Sequence, residues 1–481
     1  MSNKTSQRER GRRFGPYSKK GQFHPRSWYN SKILIIQADF GRMPCMPVDL
    51  SYQNLFRIRP QLTCPHCWTV FPTDKLLRVA ECPDLLGDSR LGESARQRFL
   101  PSRFDPKGTA LDGREFPCRR LACPNCHLTI PRSLLESSPF FVSIVGAPAS
   151  GKSYFLASMT WKLRHSLPKR FCLGFSDADP EMNLRLQRYE SMQFLQREDD
   201  RLVALEKTET HGDLYNTILF NGQQVSYPQP FAFSLVPTSE HPNAAAPLRY
   251  SATLCLYDNA GESFLPGEDR ATQPVTRHLA KSHAVFFLFD PTQDDRFRSI
   301  CKNETNDPQL APRTDAVKVR RSVVRQETIL MEMIERIRGY TGMGTHDVFH
   351  SPLTIAVTKF DAWKHLLPDA DLREPWRPLP NQTVCALDPE EVRNISKQVR
   401  ELLRKTVPDI VSLSERFAGD VSYLPVSATG RPPSVDPATG ALGFRTAEIS
   451  PIWIDVPIIN ALSRSFPGTV PVLRRPPPLP K

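Results

Sequence analysis

From Pro139 onward, short apolar runs alternate with stretches whose apolar positions recur every three or four residues. Phe140-Phe-Val-Ser-Ile-Val145 is strand-prone and ends at Gly146. Phe155, Leu156, Met159 and Leu163 then share one face, predicting a helix over about 152–166. Arg170–Ser176 reads as a strand, and Asp179-Pro-Glu-Met opens a helix carrying Met182, Leu186, Tyr189, Met192 and Leu195. Phe231–Val236 and Ala252–Tyr257 read as a strand pair. Ala284–Phe289 and Pro352–Val357 read as buried strands from their unbroken apolar runs, with an amphipathic helix between them marked by Val319, Val323, Leu330, Ile334 and Ile337. Asp388-Pro389-Glu-Glu391 combines a cap, a first-turn proline and a third-position glutamate, and predicts a helix with Val392, Ile395, Val399 and Leu402 on its inner face. Val421–Val426 is the last strand and Ile452–Leu462 a closing helix. The alternation predicts an α/β fold, an open and mostly parallel sheet flanked by helices.

The chain before Pro139 has a different texture. Residues 1–30 carry eight Lys or Arg against Glu9, so +7 of the net +12 sits there, interleaved with Phe14, Tyr17, Phe23, Trp28 and Tyr29. This predicts a disordered basic arm able to meet nucleic acid or an anionic surface. Ile33–Ile36 is a short candidate strand. At the other end, Arg474-Arg-Pro-Pro-Pro-Leu-Pro-Lys481 is a proline-rich tail of the kind that proline-recognition modules bind. No apolar run approaches the ~18 residues of a membrane helix, and no apolar core follows the N-terminal charges as it would in a secretory signal. A cytoplasmic protein in a reducing compartment is expected.

Residues 31–135 contain two matching knuckles, Cys64-Pro-His-Cys67 and Cys123-Pro-Asn-Cys126, each followed by four residues and then Pro. Cys64, Cys67, Cys123 and Cys126 supply the four thiolates of a closed tetrahedral Zn²⁺ site. The 55 residues between the knuckles exceed the ~15–20 usual for such a motif and predict an insertion at the tip of a zinc ribbon. Cys82 and Cys118 within it read as free buried cysteines, with a second pair, or substitutes in the first site, as the alternatives. His66 and His127 are not expected to be ligands.

Four further patterns carry chemistry, each after a predicted strand. Gly146-Ala147-Pro148-Ala149-Ser150-Gly151-Lys152-Ser153 fits G-x-x-x-x-G-K-[ST], a loop whose N–H groups cradle phosphates, with Lys152 charged towards the β- and γ-phosphates and Ser153 towards Mg²⁺. Asp258-Asn-Ala-Gly261 places a carboxylate for Mg²⁺ and a glycine for close approach to a γ-phosphate. Asp290 is the competing acid, and Asp258 is preferred because only it precedes an Asn-Ala-Gly turn. Thr358-Lys359-Phe-Asp361 offers a carboxylate able to accept from both N1–H and the 2-amino group of guanine, with the Lys359 stem along the ring. Ser427-Ala428-Thr429 can bring a backbone N–H to the guanine carbonyl.

Taken in order, these motifs resemble the G1, G3, G4 and G5 motifs of the Ras-like, translation-factor-related class of P-loop GTPases, over about residues 139–465. With a zinc ribbon ahead of it and an insertion near 170–230, the chain is similar in architecture to the double-GTPase type domains of bacterial conflict systems. The resemblance implies a GTP-dependent switch with GTP, Mg²⁺ and Zn²⁺ as cofactors and protein partners encoded beside it. Three departures bear on hydrolysis. The 105-residue gap from Ser153 to Asp258 leaves Thr208, Thr210 and Thr217 all open as the switch I threonine. Glu262 stands where Ras-like proteins carry a water-orienting glutamine, so it can act as a base or repel the γ-phosphate. Pro148 removes one loop N–H. Slow hydrolysis with Lys152 and Glu262 as the catalytic groups is the expectation. The rivals are a P-loop ATPase or kinase and a non-catalytic nucleotide-binding adaptor for protein or nucleic acid.

Overall fold

The computed structural model describes residues 58–195, 202–205, 215–259, 261–265, 276–301, 307–310, 324–368, 372–380, 383–437, 440 and 442–473. The basic arm, the Ile33–Ile36 strand, Thr208, Thr210, Val319, Val323 and the proline-rich tail from Arg474 lie outside the described residues.

Among the described residues seven strands make one sheet. They are β1 (Ser138–Gly146), β2 (Leu173–Asp177), β3 (Phe231–Pro237), β4 (Ala252–Asp258), β5 (Ala284–Phe289), β6 (Leu353–Val357) and β7 (Val421–Pro425), in the order β2-β3-β4-β1-β5-β6-β7. The five strands from β4 to β7 in that order run parallel, whereas β3 is antiparallel to β4 and β2 to β3. Strands β4, β5 and β6 are buried at every position, as is β1 from Phe140 on. A parallel strand is covered on both faces, which is why these segments read as unbroken apolar runs. The covering helices are α1 (Lys152–Phe171), α2 (Pro180–Phe194), α3 (Gln326–Thr341), α4 (Pro389–Thr406), α5 (Pro408–Phe417) and α6 (Val456–Ser465). No described helix is long and apolar enough to cross a membrane.

Boundaries depart from expectation where tertiary contacts outweigh local signals. Helix α1 runs to Phe171 through Pro168, because Leu167 and Phe171 continue the buried stripe of Leu156, Met159 and Leu163. Burying Phe171 outweighs the one backbone donor that Pro168 removes. The chain turns at Cys172, with φ at 50°, and β2 therefore starts at Leu173 rather than Arg170. Helix α6 starts at Val456 rather than Ile452, because Ile452 exchanges two backbone hydrogen bonds with Ser427, at 2.9 and 3.0 Å, and Pro457 fits only a first turn. Helix α5 has no counterpart in the predicted elements. It buries Ile410, Val411, Ser414 and Phe417. On α4, Leu403 rather than Leu402 completes the innermost row, as a 3.6-residue period requires.

Residues 58–135 fold as short antiparallel pieces. Gln61–Thr63 pairs with Val70–Pro72, and Thr129–Ile130, Leu121–Ala122, Leu77–Val79 and Arg98–Phe99 form a four-stranded sheet in that order. The polar stretch between the knuckles carries two more pairs, Leu86–Asp88 with Gly92–Arg96 and Ala110–Leu111 with Pro117–Cys118. The buried Asp112 staples it, its carboxylate accepting the N–H groups of Glu81, Cys82, Arg114 and Phe116 at 2.9 to 3.1 Å. A separate apolar cluster joins the cysteine knuckles, Trp68 and Phe71 to Phe141 of β1, Tyr257 of β4 and the hairpin residues Ile218 and Tyr227.

Candidate functional site

The chain leaves β1 to build β2, β3 and β4 on one side, then crosses to lay β5, β6 and β7 on the other. At such a reversal a crevice opens beyond the carboxyl ends of parallel strands. A cavity of about 330 Å³ takes in the residues that follow β1, β6 and β7. Its lining includes Pro148, Ala149, Ser150, Gly151, Lys152 and Ser153, together with Gly261, Thr358, Lys359, Asp361, Ser427 and Ala428. Residues from all four predicted motifs thus meet in one space.

Gly146 ends β1 in a position that no side chain could share. A Cβ there would stand 2.8 Å from Ser150 Oγ and 3.0 Å from Leu288 O. The loop then turns through Ala149 at φ 60° and Gly151 at φ +88°. Lys152 is the first residue of α1, and its buried ammonium donates to Gly146 O and Ala147 O, each at 3.0 Å. Ser150 Oγ is buried with no hydrogen-bond partner among the described residues. Gly261 packs on this loop so closely that an added Cβ would come within 2.8 Å of three backbone atoms of Ala147 and Pro148.

The acidic candidates separate clearly. Asp258 ends β4 opposite Ile144, two residues before Gly146, and is buried without being among the residues that line the cavity. Asp290 is turned to another task. Its carboxylate accepts from Thr292 N at 2.9 Å, Thr292 Oγ1 at 2.7 Å, Gln293 Nε2 at 3.0 Å and Lys359 Nζ at 2.7 Å. This buried carboxylate thereby fixes the Lys359 stem, a relation with no local mark across 69 residues. Thr217 bonds Ser226 Oγ across the hairpin Tyr215–Phe220/Gln223–Pro228 at 3.1 Å and does not line the cavity. The side chain of Glu262 lies outside the described residues.

At the far end, Asp361 accepts a hydrogen bond from Ser427 Oγ at 2.5 Å, and Ser427 Oγ in turn accepts Gly430 N–H at 2.7 Å. Burial pushes the Asp361 carboxyl above its ordinary range, with the Ser427 hydroxyl pulling the other way. The Ser427 N–H is engaged by Ile452 O, and Ala428 O accepts Ser158 Oγ at 2.7 Å. Tyr154, Leu205 and Phe444 complete this wall, a group that sequence reasoning missed. The Tyr154 hydroxyl accepts Leu205 N–H at 2.8 Å and its ring meets Phe444 edge-on at 5.4 Å. Leu202–Val203 pairs with Phe444–Arg445 across a long sequence separation, so no local periodicity marked them.

The second centre is the group of Cys64, Cys67, Cys123 and Cys126. Their sulfurs all lie within 4.8 Å of one another and are buried. Cys64 and Cys126 are 3.6 Å apart and Cys67 and Cys123 3.7 Å, close to the ~3.8 Å edge of a tetrahedron with 2.3 Å metal–sulfur bonds. The N–H groups of His66 and Asn125 point at Cys64 and Cys123, each at 3.3 Å. The residues after each knuckle, Trp68 and His127, both take positive φ, 56° and 62°. Burial pushes the Cys64 thiol up while hydrogen bonds from Cys123, Cys126 and Cys64 pull Cys67 down. Thiolates packed this closely need a cation, and this group could hold a metal such as zinc. Cys82 and Cys118 are buried outside it, His127 bonds Asp88 at 2.8 Å, and His66 Nε2 bonds Thr129 O at 2.9 Å.

No family model matches the chain. Over 254 residues it is 29% identical to the "Putative ESX-1 scaffolding and assembly protein SaeC" of Mycolicibacterium smegmatis, a stretch covering 47% of this chain and 57% of that protein. The chain is therefore similar to this protein over little more than half of the relative's length.

Proposed function

We propose that the chain is a P-loop GTPase-type switch, a cytoplasmic protein that binds GTP with Mg²⁺ and hydrolyses it slowly, with a structural Zn²⁺ in its N-terminal module. The observation that carries this reading is the single cavity lined both by the loop Pro148–Ser153 and by Asp361, Ser427 and Ala428. Lys152 would exchange its two loop carbonyls for the β- and γ-phosphates, and Gly261 would report the γ-phosphate to the loop it touches. Ser153 and Asp258 would hold Mg²⁺, which supplies charge neutralisation at the phosphates when bound. Asp361 would accept the guanine N–H groups, with the Lys359 stem fixed beside it by Asp290. The Ser427 N–H is already bonded to Ile452, which gives Ala428 the part of meeting the base carbonyl. Pro148 takes one donor from the loop, in keeping with slow turnover.

Competition of GTP against ATP with Mg²⁺, using a Lys152→Ala control, tests the reading. Preference for GTP that depends on Lys152 is expected. Tighter ATP binding would replace it with an ATPase or kinase.

A second reading is an adaptor in which nucleotide is bound and not cleaved, while the zinc module serves protein partners. The similarity to a protein described as a scaffolding and assembly protein favours it. Absence of GTP turnover above the Lys152→Ala background, with binding intact, would establish it.

A further inference from the structure

The cysteine knuckle and the loop after β4 are joined by a buried chain of contacts, hydrogen bonds at either end and one aromatic stack between them. Two groups of the first knuckle converge on one hydroxyl. Trp68 Nε1, directly after Cys67, donates to Tyr257 OH at 3.2 Å, and Tyr257 OH donates to Pro65 O, between Cys64 and Cys67, at 2.6 Å. Tyr257 is the penultimate residue of β4, and the next residue is Asp258. Its ring stacks on His278, with centroids 4.6 Å apart and planes 10° from parallel.

His278 carries the chain onward. Its Nε2 lies 2.8 Å from the side-chain amide of Asn259. Nδ1 faces Ser143 Oγ on β1 at 2.5 Å, Ser143 bonds Ser282 Oγ at 2.5 Å, and Ser282 Oγ donates to His278 O at 3.0 Å. Tyr257, Asn259, His278 and Ser143 are all fully buried. Breaking a link in such a buried network leaves an expensive orphan. Two residues past Asn259, Gly261 rests on Ala147 and Pro148.

We propose that the four-cysteine centre anchors Asp258, Asn259 and Gly261, with Tyr257 and His278 as positioning residues, so that metal at the knuckle and a nucleoside triphosphate in the cavity are thermodynamically linked. The ligand half of this statement rests on the nucleotide reading above. The metal half rests only on the contacts from Trp68 to Gly261. Tightening the knuckle holds Tyr257, the Tyr257–His278 stack holds Asn259, and the placement of Gly261 sets the phosphate loop. Linkage is reciprocal, so nucleotide must retain metal by the same factor with which metal favours nucleotide.

The test uses the full chain and its Tyr257→Phe variant, which keeps the ring and all four cysteines and removes the shared hydroxyl. Three quantities are read. They are zinc released to a colorimetric chelator with and without GTP, the affinity of a fluorescent GTP analogue with and without zinc, and hydrogen exchange at the Asn259 and Gly261 amides. Removing zinc is expected to weaken the nucleotide about tenfold, GTP to tighten zinc by the same factor, and exchange at both amides to accelerate. Tyr257→Phe is expected to keep its zinc, shrink the linkage factor towards one and accelerate the same amides. Unchanged exchange at Asn259 and Gly261 in both zinc-free and Tyr257→Phe protein would overturn the proposal. If the zinc-loaded chain binds no nucleotide at all, the nucleotide reading fails and the exchange data alone decide the anchoring. If chelation unfolds the module, the zinc-bearing Tyr257→Phe protein decides by the same amides.

Discussion

A methyl group on Gly261 would stand 2.5 Å from the backbone nitrogen of Pro148. Backbone cannot yield as a long side chain can, so Gly261→Ala must push the two loops apart. Overpacking of this kind typically costs about 1–3 kcal/mol. Urea unfolding should show a loss in that range. Under the nucleotide reading the displaced loop also binds GTP more weakly, and a variant with wild-type GTP affinity would refute the role given to this contact.

The contact at the base end predicts a change of ligand. Asn at 361 would present an amide donor where guanine needs an acceptor, so Asp361→Asn should shift preference from guanine towards xanthine nucleotides. Competition binding with GTP and XTP reads this directly. Full GTP selectivity in the variant would show that Asp361 does not read the base.

The same carboxylate gives a pH dependence. Burial raises the Asp361 carboxyl above its ordinary range of about 4. Guanine requires the charged form, so binding should fade as pH falls, and should begin to fade above the range of an ordinary carboxylate. In the ligand-free chain the sign reverses. A raised folded value means the group favours folding below its unfolded value and loses that contribution as pH rises through its folded one. The ratio of GTP to ITP affinity isolates the effect, because both share their phosphate titration while ITP lacks the 2-amino group. A ratio constant between pH 7.5 and 5 would count against the assignment.

How far the chain could be read from its letters depended on whether a signal was local. Strands β1, β4, β5 and β6 were legible because parallel strands are buried on both faces. The cysteine group was legible because two knuckles of the same C-P-x-C form set ligand number and spacing, and the sulfurs do converge. Helix ends were less so. The far end of α1 depends on Phe171 finding the core, and the start of α6 on Ile452 pairing with Ser427, neither of which has a local mark. Between the strand-end acids Asp258 and Asp290 only the Asn-Ala-Gly turn after Asp258 offered a local mark, and the Asp290–Lys359 contact that engages the other spans 69 residues. Tyr154, Leu205 and Phe444 meet across gaps that no periodicity spans.

That Asp290–Lys359 contact carries a stability prediction. Asp290 is fully buried and Lys359 about one-fifth exposed, with Nζ 2.7 Å from the carboxylate. Lys359→Met keeps most of the stem and strands the charge. Breaking a buried pair costs about 3–5 kcal/mol, and the three other donors on Asp290 together with the partial exposure of Lys359 bring the expected loss to about 2–3 kcal/mol. The double variant Asp290→Asn/Lys359→Met should lose less than the sum of the singles, since the two share one interaction. Strict additivity in urea unfolding would mean that the pair is not coupled.

The knuckles predict a metal stoichiometry and the cysteines that set it. Four sulfurs spaced at 3.6 and 3.7 Å across the group match the edges of a Zn²⁺–thiolate tetrahedron, whereas Cys82 and Cys118 are buried elsewhere and Cys118 Sγ faces Phe116 O at 3.4 Å. Elemental analysis of freshly purified protein should find about one zinc per chain. Serine at Cys64, Cys67, Cys123 or Cys126 should each lower it, because a closed site with a missing thiolate loses both a bond and charge balance. Serine at Cys82 or Cys118 should leave it unchanged. Because these cysteines share one apolar cluster with Phe141 and Tyr257, loss of metal should also destabilise the edge where the module meets the sheet. Exchange protection at Phe141 would therefore fall together with the zinc content, and protection that persisted in a zinc-free cysteine variant would show that this edge is held by apolar packing alone.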